Sequence, residues 1–64
     1  MARVLVIDDD QAFRNLLIEQ VHRLEHEVEG APTLEQGRDL METFEPGVVF
    51  LDVNLPDGSG LDAI

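Results

Sequence analysis

The stretch Arg3-Val4-Leu5-Val6-Ile7-Asp8-Asp9-Asp10 decides the fold class of this 64-residue chain. Its residues 4–7 form an aliphatic run without polar alternation, which is typical of a parallel strand that is buried on both faces. Three acids follow the run directly, and the apolar residues beyond them recur at helical spacing. The stretch therefore predicts a strand over residues 3–7 that carries carboxylates at its carboxyl end.

A helix is predicted directly after the three acids. Asp10 is the expected N-cap, because a short acidic side chain accepts hydrogen bonds from the first backbone N–H groups of a helix. His22 and His26 are four residues apart, so a metal-binding pair is conceivable, but no third ligand is evident nearby and we interpret both as exposed histidines. The helix runs to about residue 24, and its apolar face is predicted to consist of Phe13, Leu16, Leu17, Val21 and Leu24.

A second strand and a second helix are predicted downstream. Residues 26–31 alternate charged and small apolar side chains, as a half-exposed edge strand does. Thr33 and Gln36 form a capping box, which predicts that a helix begins there. Gly37 lies on the apolar stripe of this helix, and we expect it to allow close packing against the sheet.

A third strand is predicted over residues 48–51, with Asp52 directly after it. Pro46-Gly47 ends the preceding helix, because the residue before a proline is disfavoured in the helical region. Residues 55–58 have the composition of a turn, and residues 59–62 have the hydroxyl and acid that begin another helix. The chain therefore reads strand, helix, strand, helix, strand and the start of a third helix.

This alternation predicts an α/β fold with three parallel strands. If strand two lies on one side of strand one and strand three on the other, the strand order is 2-1-3. Right-handed crossovers then place the two helices on opposite faces of the sheet. The winding direction reverses between strands one and three, and ligands bind in the crevice at the carboxyl ends of such strands. We expect Asp8, Asp9 and Asp52 to meet in this crevice.

The three acids predict a Mg²⁺ site. At a separation of about 5 Å and an effective dielectric constant near 20, each ionised pair repels by roughly 3 kcal/mol, which a cation offsets. Mg²⁺ binds oxygen ligands and keeps positions open for phosphate oxygens. Asp52 stands alone at a strand end and is the candidate nucleophile for phosphoryl transfer, whereas Asp8 and Asp9 are paired as ligands are. Acids that follow strands also serve as simple helix caps, and we assign that role to Asp10.

The charge balance of the chain limits its partners. Four basic and fourteen acidic residues give a formal net charge of −10, which argues against a nucleic-acid surface. No cysteine is present, so disulfides and Cys-based zinc sites are excluded. The apolar runs are too short for a membrane span or a signal peptide, and we expect a cytoplasmic protein.

Two segments, residues 4–10 and 50–60, resemble response-regulator receiver domains of bacterial two-component signalling. In this chain, as in receiver domains, an acidic pair follows strand one. An aspartate, here Asp52, follows strand three and precedes a Leu-Pro turn and a glycine. The resemblance implies a flavodoxin-like fold with the strand order 2-1-3-4-5. Residues 1–64 correspond to the N-terminal half of such a domain, a truncated form of that fold.

The resemblance also implies roles for individual residues. Asp52 would accept a phosphoryl group from a sensor histidine kinase. Mg²⁺ would be held by Asp8, Asp9, Asp52 and the backbone carbonyl of Asn54. Because the phosphorylated aspartate of this family hydrolyses slowly, the module acts as a switch and not as a turnover enzyme. An output domain absent here would control transcription.

The residues with which this family reads the phosphoryl group lie beyond residue 64, and the sequence contains no lysine. We therefore expect a fragment that cannot switch. The strand over residues 48–51 would lack its next neighbour, and an exposed apolar edge pairs with other chains. A homodimer or larger oligomer through this edge is expected.

Two alternatives remain open from the sequence. One is a self-associating fragment without retained activity. The other is a Mg²⁺-dependent phosphatase with an aspartyl nucleophile, which usually carries an Asp-x-Asp pair; position 54 is Asn, so the second acid is missing.

Overall fold

The computed structural model describes residues 1–52. The five elements predicted in this part of the chain are confirmed, and the turn and helix start predicted at residues 55–58 and 59–62 lie outside the described residues. No helix among residues 1–52 is both long and apolar enough to cross a bilayer. The elements are β1 (Arg3–Ile7), α1 (Gln11–Arg23), β2 (Glu27–Ala31), α2 (Leu34–Thr43) and β3 (Val48–Leu51).

The strands form a parallel sheet in the order β2-β1-β3, which confirms the predicted 2-1-3 topology. Val4 of β1 lies opposite Val28 of β2 on one side and Val48 of β3 on the other. The central position and the helices on both faces bury β1, whose residues 5–7 are at most 1% exposed. The sequence of β1, which has no polar alternation, matches this environment.

The core consists of one small cluster on each face of β1. Side chains alternate between the faces of a strand, so successive β1 residues contribute to different clusters. The helices cover opposite faces, as right-handed crossovers require. The cluster on the α1 face contains Val4, Val6 and Val21, and the cluster on the α2 face contains Leu5, Ile7, Ala31 and Leu34.

Gly37 brings α2 close to the sheet, as predicted. A Cβ atom at this position would lie 2.9 Å from Cγ1 of Ile7 and nearer still to its Cδ1, closer than side chains pack. The position tolerates no larger residue unless Ile7 moves within the core cluster of the α2 face. The glycine therefore has a packing role.

Both predicted N-caps are confirmed. Asp10 Oδ1 accepts a hydrogen bond from the backbone N–H of Phe13 at 3.1 Å, and Thr33 Oγ1 accepts one from Gln36 at 3.2 Å. Each cap pairs one of the backbone donors that a helix start leaves without an intrahelical partner.

The C-terminus of α1 ends in a Schellman motif. The N–H of Glu25 donates to the carbonyl of His22 at 3.0 Å, and the N–H of His26 donates to that of Val21 at 3.4 Å. Glu25 adopts a φ of 65°, the left-handed conformation that favours glycine at this position. Glu45, after α2, has a φ of 53°. Two glutamates thus occupy backbone conformations that are strained for residues with a side chain.

The prediction that both histidines are exposed is wrong for His26. His22 is exposed, but His26 is half-buried, and its Nδ1 accepts a hydrogen bond from the backbone N–H of Ala2 at 2.9 Å. The cause is the Schellman turn, which brings residue 26 back beside the start of β1, where the N–H of Glu27 also donates to the carbonyl of Ala2. His26 therefore fastens the N-terminal residues to the α1–β2 turn.

The predicted apolar face of α1 is only partly correct. Val21 is buried and Leu17 is half-buried, but Phe13, Leu16 and Leu24 are about half exposed or more. Ile18, which the spacing argument omitted, packs against the cluster instead. Because α1 packs over β1 and β2, only the part of its wide apolar stripe that faces these strands is covered.

The strand β3 is an exposed edge, as expected. Val48, Val49 and Phe50 are 44%, 38% and 46% exposed. The register places Val48 and Phe50 on the α1 face and Val49 on the α2 face, so within residues 1–52 neither face of the strand is fully covered. Both helices lie mainly over the other two strands.

Candidate metal centre

Three carboxylates meet at the carboxyl ends of β1 and β3. Asp8 and Asp9 follow β1 and Asp52 follows β3, and each offers an oxygen within 4.8 Å of the others. The parallel register explains the meeting, because Ile7 and Leu51 are opposite each other and the next residue of each strand is an aspartate. The predicted convergence of these side chains is confirmed. Asn54 lies outside the described residues.

The backbone holds both strand ends in place. The N–H of Asp52 donates to the carbonyl of Ile7 at 2.9 Å, which continues the pairing of β3 with β1. The N–H of Asp8 donates to the carbonyl of Ala31 at 3.0 Å, which continues the pairing of β1 with β2. The two aspartates are therefore presented by the sheet itself.

The turn after β1 separates the roles of its three acids. Asp8 Oδ1 accepts a hydrogen bond from the N–H of Asp10 at 2.9 Å, which leaves its second oxygen for a ligand. Asp9 is exposed at the apex of the turn. Asp10 directs its carboxylate to the start of α1. Asp10 is thus the cap, and Asp8 and Asp9 belong to the cluster, as predicted.

The cluster concentrates negative charge. Among the described residues, Asp8 and Asp9 take part in none of the ion pairs, which join Arg3 to glutamates near the start of β1 and Arg23 to Glu19 on α1. The separations agree with those assumed from the sequence, so a bound cation would offset the mutual repulsion.

The donor set fits Mg²⁺. All three side chains offer hard oxygen ligands, which Mg²⁺ binds at about 2.1 Å in octahedral geometry, so that opposite ligands are roughly 4.2 Å apart. Adjacent ligands in that geometry are roughly 3 Å apart. The carboxylate oxygens here lie within 4.8 Å of one another, close enough for one cation to be shared by all three side chains. Asp8, Asp9 and Asp52 are therefore able to hold such an ion.

The predicted crevice at the carboxyl ends of β1 and β3 continues into an apolar groove that the sequence did not reveal. It has a volume of about 480 Å³ and runs between α1 and the exposed face of β3. Asp8 and Asp52 lie at its end, and the apolar residues that line it include Val6, Phe13 and Phe50. The sequence feature that could have indicated the groove is a pair of aromatic residues near the acids. Phe13 lies shortly after the acidic turn, and Phe50 lies two residues before Asp52.

Arg14 is a further part of the site that no sequence pattern singled out. Its Nη1 donates to the backbone carbonyl of Asp8 at 2.8 Å from a half-buried position on α1. The available signal was an arginine four residues after the N-cap, where a long side chain reaches back to the preceding loop.

Comparison with known proteins identifies the family. The family model described as the response regulator receiver domain matches residues 4–64. The chain belongs to this family.

Curated relatives and solved structures agree with this assignment. The chain is 36% identical to the KDP operon transcriptional regulatory protein KdpE of Escherichia coli, over all of this chain and 28% of that protein. It is 34% identical to the chemotaxis protein CheY of Thermotoga maritima, over 97% of this chain and 52% of that protein. The non-phosphorylated HemR receiver domain of Leptospira biflexa superposes with a TM-score of 0.89 at 32% identity, over 97% of this chain and 50% of that chain. The chain thus spans about half of that structure or less than a third of the longer regulator.

Proposed function

We propose that Asp52 is the phosphoacceptor of this receiver domain and that Asp8 and Asp9 hold Mg²⁺ beside it. The observation that carries the proposal is the meeting of the three carboxylates within 4.8 Å at the carboxyl ends of two adjacent strands. Asp52 directly follows β3, and it is separate in sequence from the acidic turn after β1. The backbone carbonyl of Asn54 is proposed as a further ligand.

The transfer is a displacement at phosphorus. A carboxylate oxygen of Asp52 attacks the phosphoryl group of a phosphohistidine on a sensor histidine kinase, an O–P bond forms, and the P–N bond breaks with its electron pair left on the imidazole. Bound Mg²⁺ supplies positive charge to the phosphoryl oxygens. Asp8 and Asp9 would position that charge, and the backbone hydrogen bonds of Asp8 and Asp52 to the sheet fix the main chain from which the two carboxylates project.

The acyl phosphate formed on Asp52 makes the domain a switch and not a turnover enzyme. An output domain that controls transcription fits the relative KdpE, a KDP operon transcriptional regulatory protein. The chain spans only part of the length of its relatives, so switching and output are proposed for a whole regulator and not for residues 1–64 alone.

Intact mass spectrometry tests the acceptor. The chain is incubated with Mg²⁺ and acetyl phosphate, beside Asp52→Asn and the matched control Asp39→Asn, whose exposed aspartate lies on α2. We expect one added phosphoryl group on the original chain and on the control, and none on Asp52→Asn. Equal labelling of Asp52→Asn would assign the acceptor to another residue and contradict the proposal.

A second proposal concerns self-association through β3. Three consecutive apolar residues of this edge strand are about 40% exposed or more, and an edge of this kind pairs with another chain. The occupant proposed is a second copy, paired along β3. Each copy carries a formal net charge of −10, and the repulsion between two copies opposes association. Added salt screens this repulsion and therefore strengthens the dimer.

Sedimentation velocity at low and high salt tests the dimer. We expect a concentration-dependent dimer that salt favours and that Phe50→Glu abolishes, whereas Leu24→Glu, a change at an exposed site on the C-cap of α1, leaves it intact. A monomer at every concentration and salt, or equal loss in both variants, would contradict pairing through β3.

A further inference from the structure

We propose that Arg14 is a positioning residue for the metal centre: its guanidinium holds the backbone carbonyl of Asp8 and so sets the turn that presents Asp8 and Asp9. The inference rests on the proposed Mg²⁺ site and adds to it a residue that contacts neither the metal nor the phosphoryl group. Its basis is the hydrogen bond of 2.8 Å from Arg14 Nη1 to Asp8 O.

The hydrogen bond completes a set of three anchors on one residue. The N–H of Asp8 is bound to Ala31, and its Oδ1 is bound to the N–H of Asp10. The carbonyl of Asp8, at the point where the chain leaves the sheet, is bound to Arg14. A hydrogen bond from a charged donor is about twice as strong as a neutral one, so the third anchor limits rotation of the peptide that joins Asp8 to Asp9.

Gly30 gives Arg14 the room to reach this carbonyl. Gly30 lies opposite Val6 on the α1 face, and a Cβ atom there would lie 3.2 Å and 3.3 Å from Cδ and Cγ of Arg14 and 2.7 Å from Cδ1 of Ile18. The aliphatic part of Arg14 therefore lies across β2 at the place where β2 has no side chain. The arginine stem therefore packs over the glycine, and its guanidinium binds the acidic turn.

Charge and position predict opposite effects of Arg14 on metal affinity. A guanidinium beside the site repels a divalent cation, so loss of its charge alone would tighten metal binding. Loss of the anchor lets the acidic turn move and weakens binding, because partners that orient metal ligands contribute 10-fold to 100-fold in affinity, roughly. The sign of the change therefore distinguishes a positioning residue from a mere neighbouring charge.

Mn²⁺ binding, followed by the paramagnetic resonance of the free ion, tests the inference on the 64-residue chain. Arg14→Met keeps the stem and removes the guanidinium, and Arg38→Met removes the same charge from an exposed site on α2. We expect roughly tenfold weaker binding for Arg14→Met and unchanged or slightly tighter binding for Arg38→Met. Gly30→Ala keeps the guanidinium and adds a Cβ that would lie 2.7 Å from Cδ1 of Ile18 and 3.2 Å from Cδ of Arg14. Because it crowds the arginine stem less than it crowds Ile18, it is expected to weaken binding by a smaller factor than Arg14→Met. Unchanged or tighter binding by Arg14→Met would overturn the inference.

Amide exchange without metal gives a second readout. We expect the N–H of Asp10, which donates to Asp8, to exchange faster in Arg14→Met than in Val21→Ala, a core variant destabilised elsewhere on α1. Equal exchange in the two variants, after correction for global stability, would overturn the positioning role. If the original chain binds no Mn²⁺, the metal proposal fails, while the Asp10 exchange still decides whether Arg14 holds the turn.

Discussion

The strands β1 and β3 are similar in composition and opposite in environment. Apart from Arg3, both strands consist of aliphatic or aromatic residues, and an aspartate directly follows each of them. Residues 5–7 of β1 are at most 1% exposed, whereas residues 48–50 of β3 are 38% to 46% exposed. The difference shows that an apolar run specifies a strand, but that burial depends on what lies beside and across from it.

Leu5→Ala tests the buried side of this comparison. Leu5 lies in the core cluster of the α2 face, and its truncation is expected to lower the free energy of unfolding by about 3 kcal/mol. The loss is a large part of the total free energy of unfolding, because natural domains have only roughly 0.05–0.15 kcal/mol of stability per residue. Urea denaturation followed by circular dichroism measures the loss. The control Leu16→Ala changes a half-exposed leucine, and a comparable loss there would contradict the assigned core.

Val4→Ala and Val48→Ala compare the two strands directly, because the residues are opposite each other on the same face. We expect a loss of about 2 kcal/mol at Val4, which is buried, and less than about 0.5 kcal/mol at Val48, which is half exposed. The same denaturation experiment measures both. The proposed pairing of β3 with a second copy would increase the loss at Val48 at high protein concentration, so the experiment is made at several dilutions.

The proposed Mg²⁺ site would connect Asp8, which follows β1, with Asp52, which follows β3. Added Mg²⁺ is therefore expected to reduce the difference in stability between the buried strand β1 and the exposed strand β3. A ligand at ten times its dissociation constant stabilises the folded state by about 1.4 kcal/mol. Amide exchange should slow more in β3 than in β2 on addition of Mg²⁺. Asp9→Asn removes one ligand and should remove most of this effect. Uniform slowing in both strands would contradict a metal that bridges β1 and β3.

The smallest expected effects concern the glutamates with positive φ. Glu25→Gly, before β2, is expected to raise the free energy of unfolding by about 0.5–1 kcal/mol, because glycine adopts the left-handed conformation without strain. Glu45→Gly, before β3, is expected to raise the free energy of unfolding by the same amount if β3 is as well ordered as β2. The increase is smaller if β3 opens locally before the rest of the sheet unfolds. Thermal unfolding of the two variants makes the comparison, and a loss of stability in Glu25→Gly would contradict the assigned motif.

Much of the site could be predicted from the sequence because it depends on strand ends. Once β1 and β3 are parallel neighbours, Asp8 and Asp52 are adjacent wherever the helices lie. The groove beside them could not be predicted in the same way. It exists because Phe13 and Phe50 are left uncovered, which depends on the lateral position of α1 over the sheet.

The sequence by itself determined the elements of this protein and their caps. Asp10, Thr33 and the aliphatic runs act through local backbone sterics and hydrogen bonds, which need no distant partner. Only the tertiary structure decided that Ile18 and not Leu24 packs against the sheet, that His26 binds the N-terminal backbone and that Arg14 reaches Asp8. These contacts depend on how far each helix is shifted across the strands, a distance set by packing of the whole core and not by any local pattern.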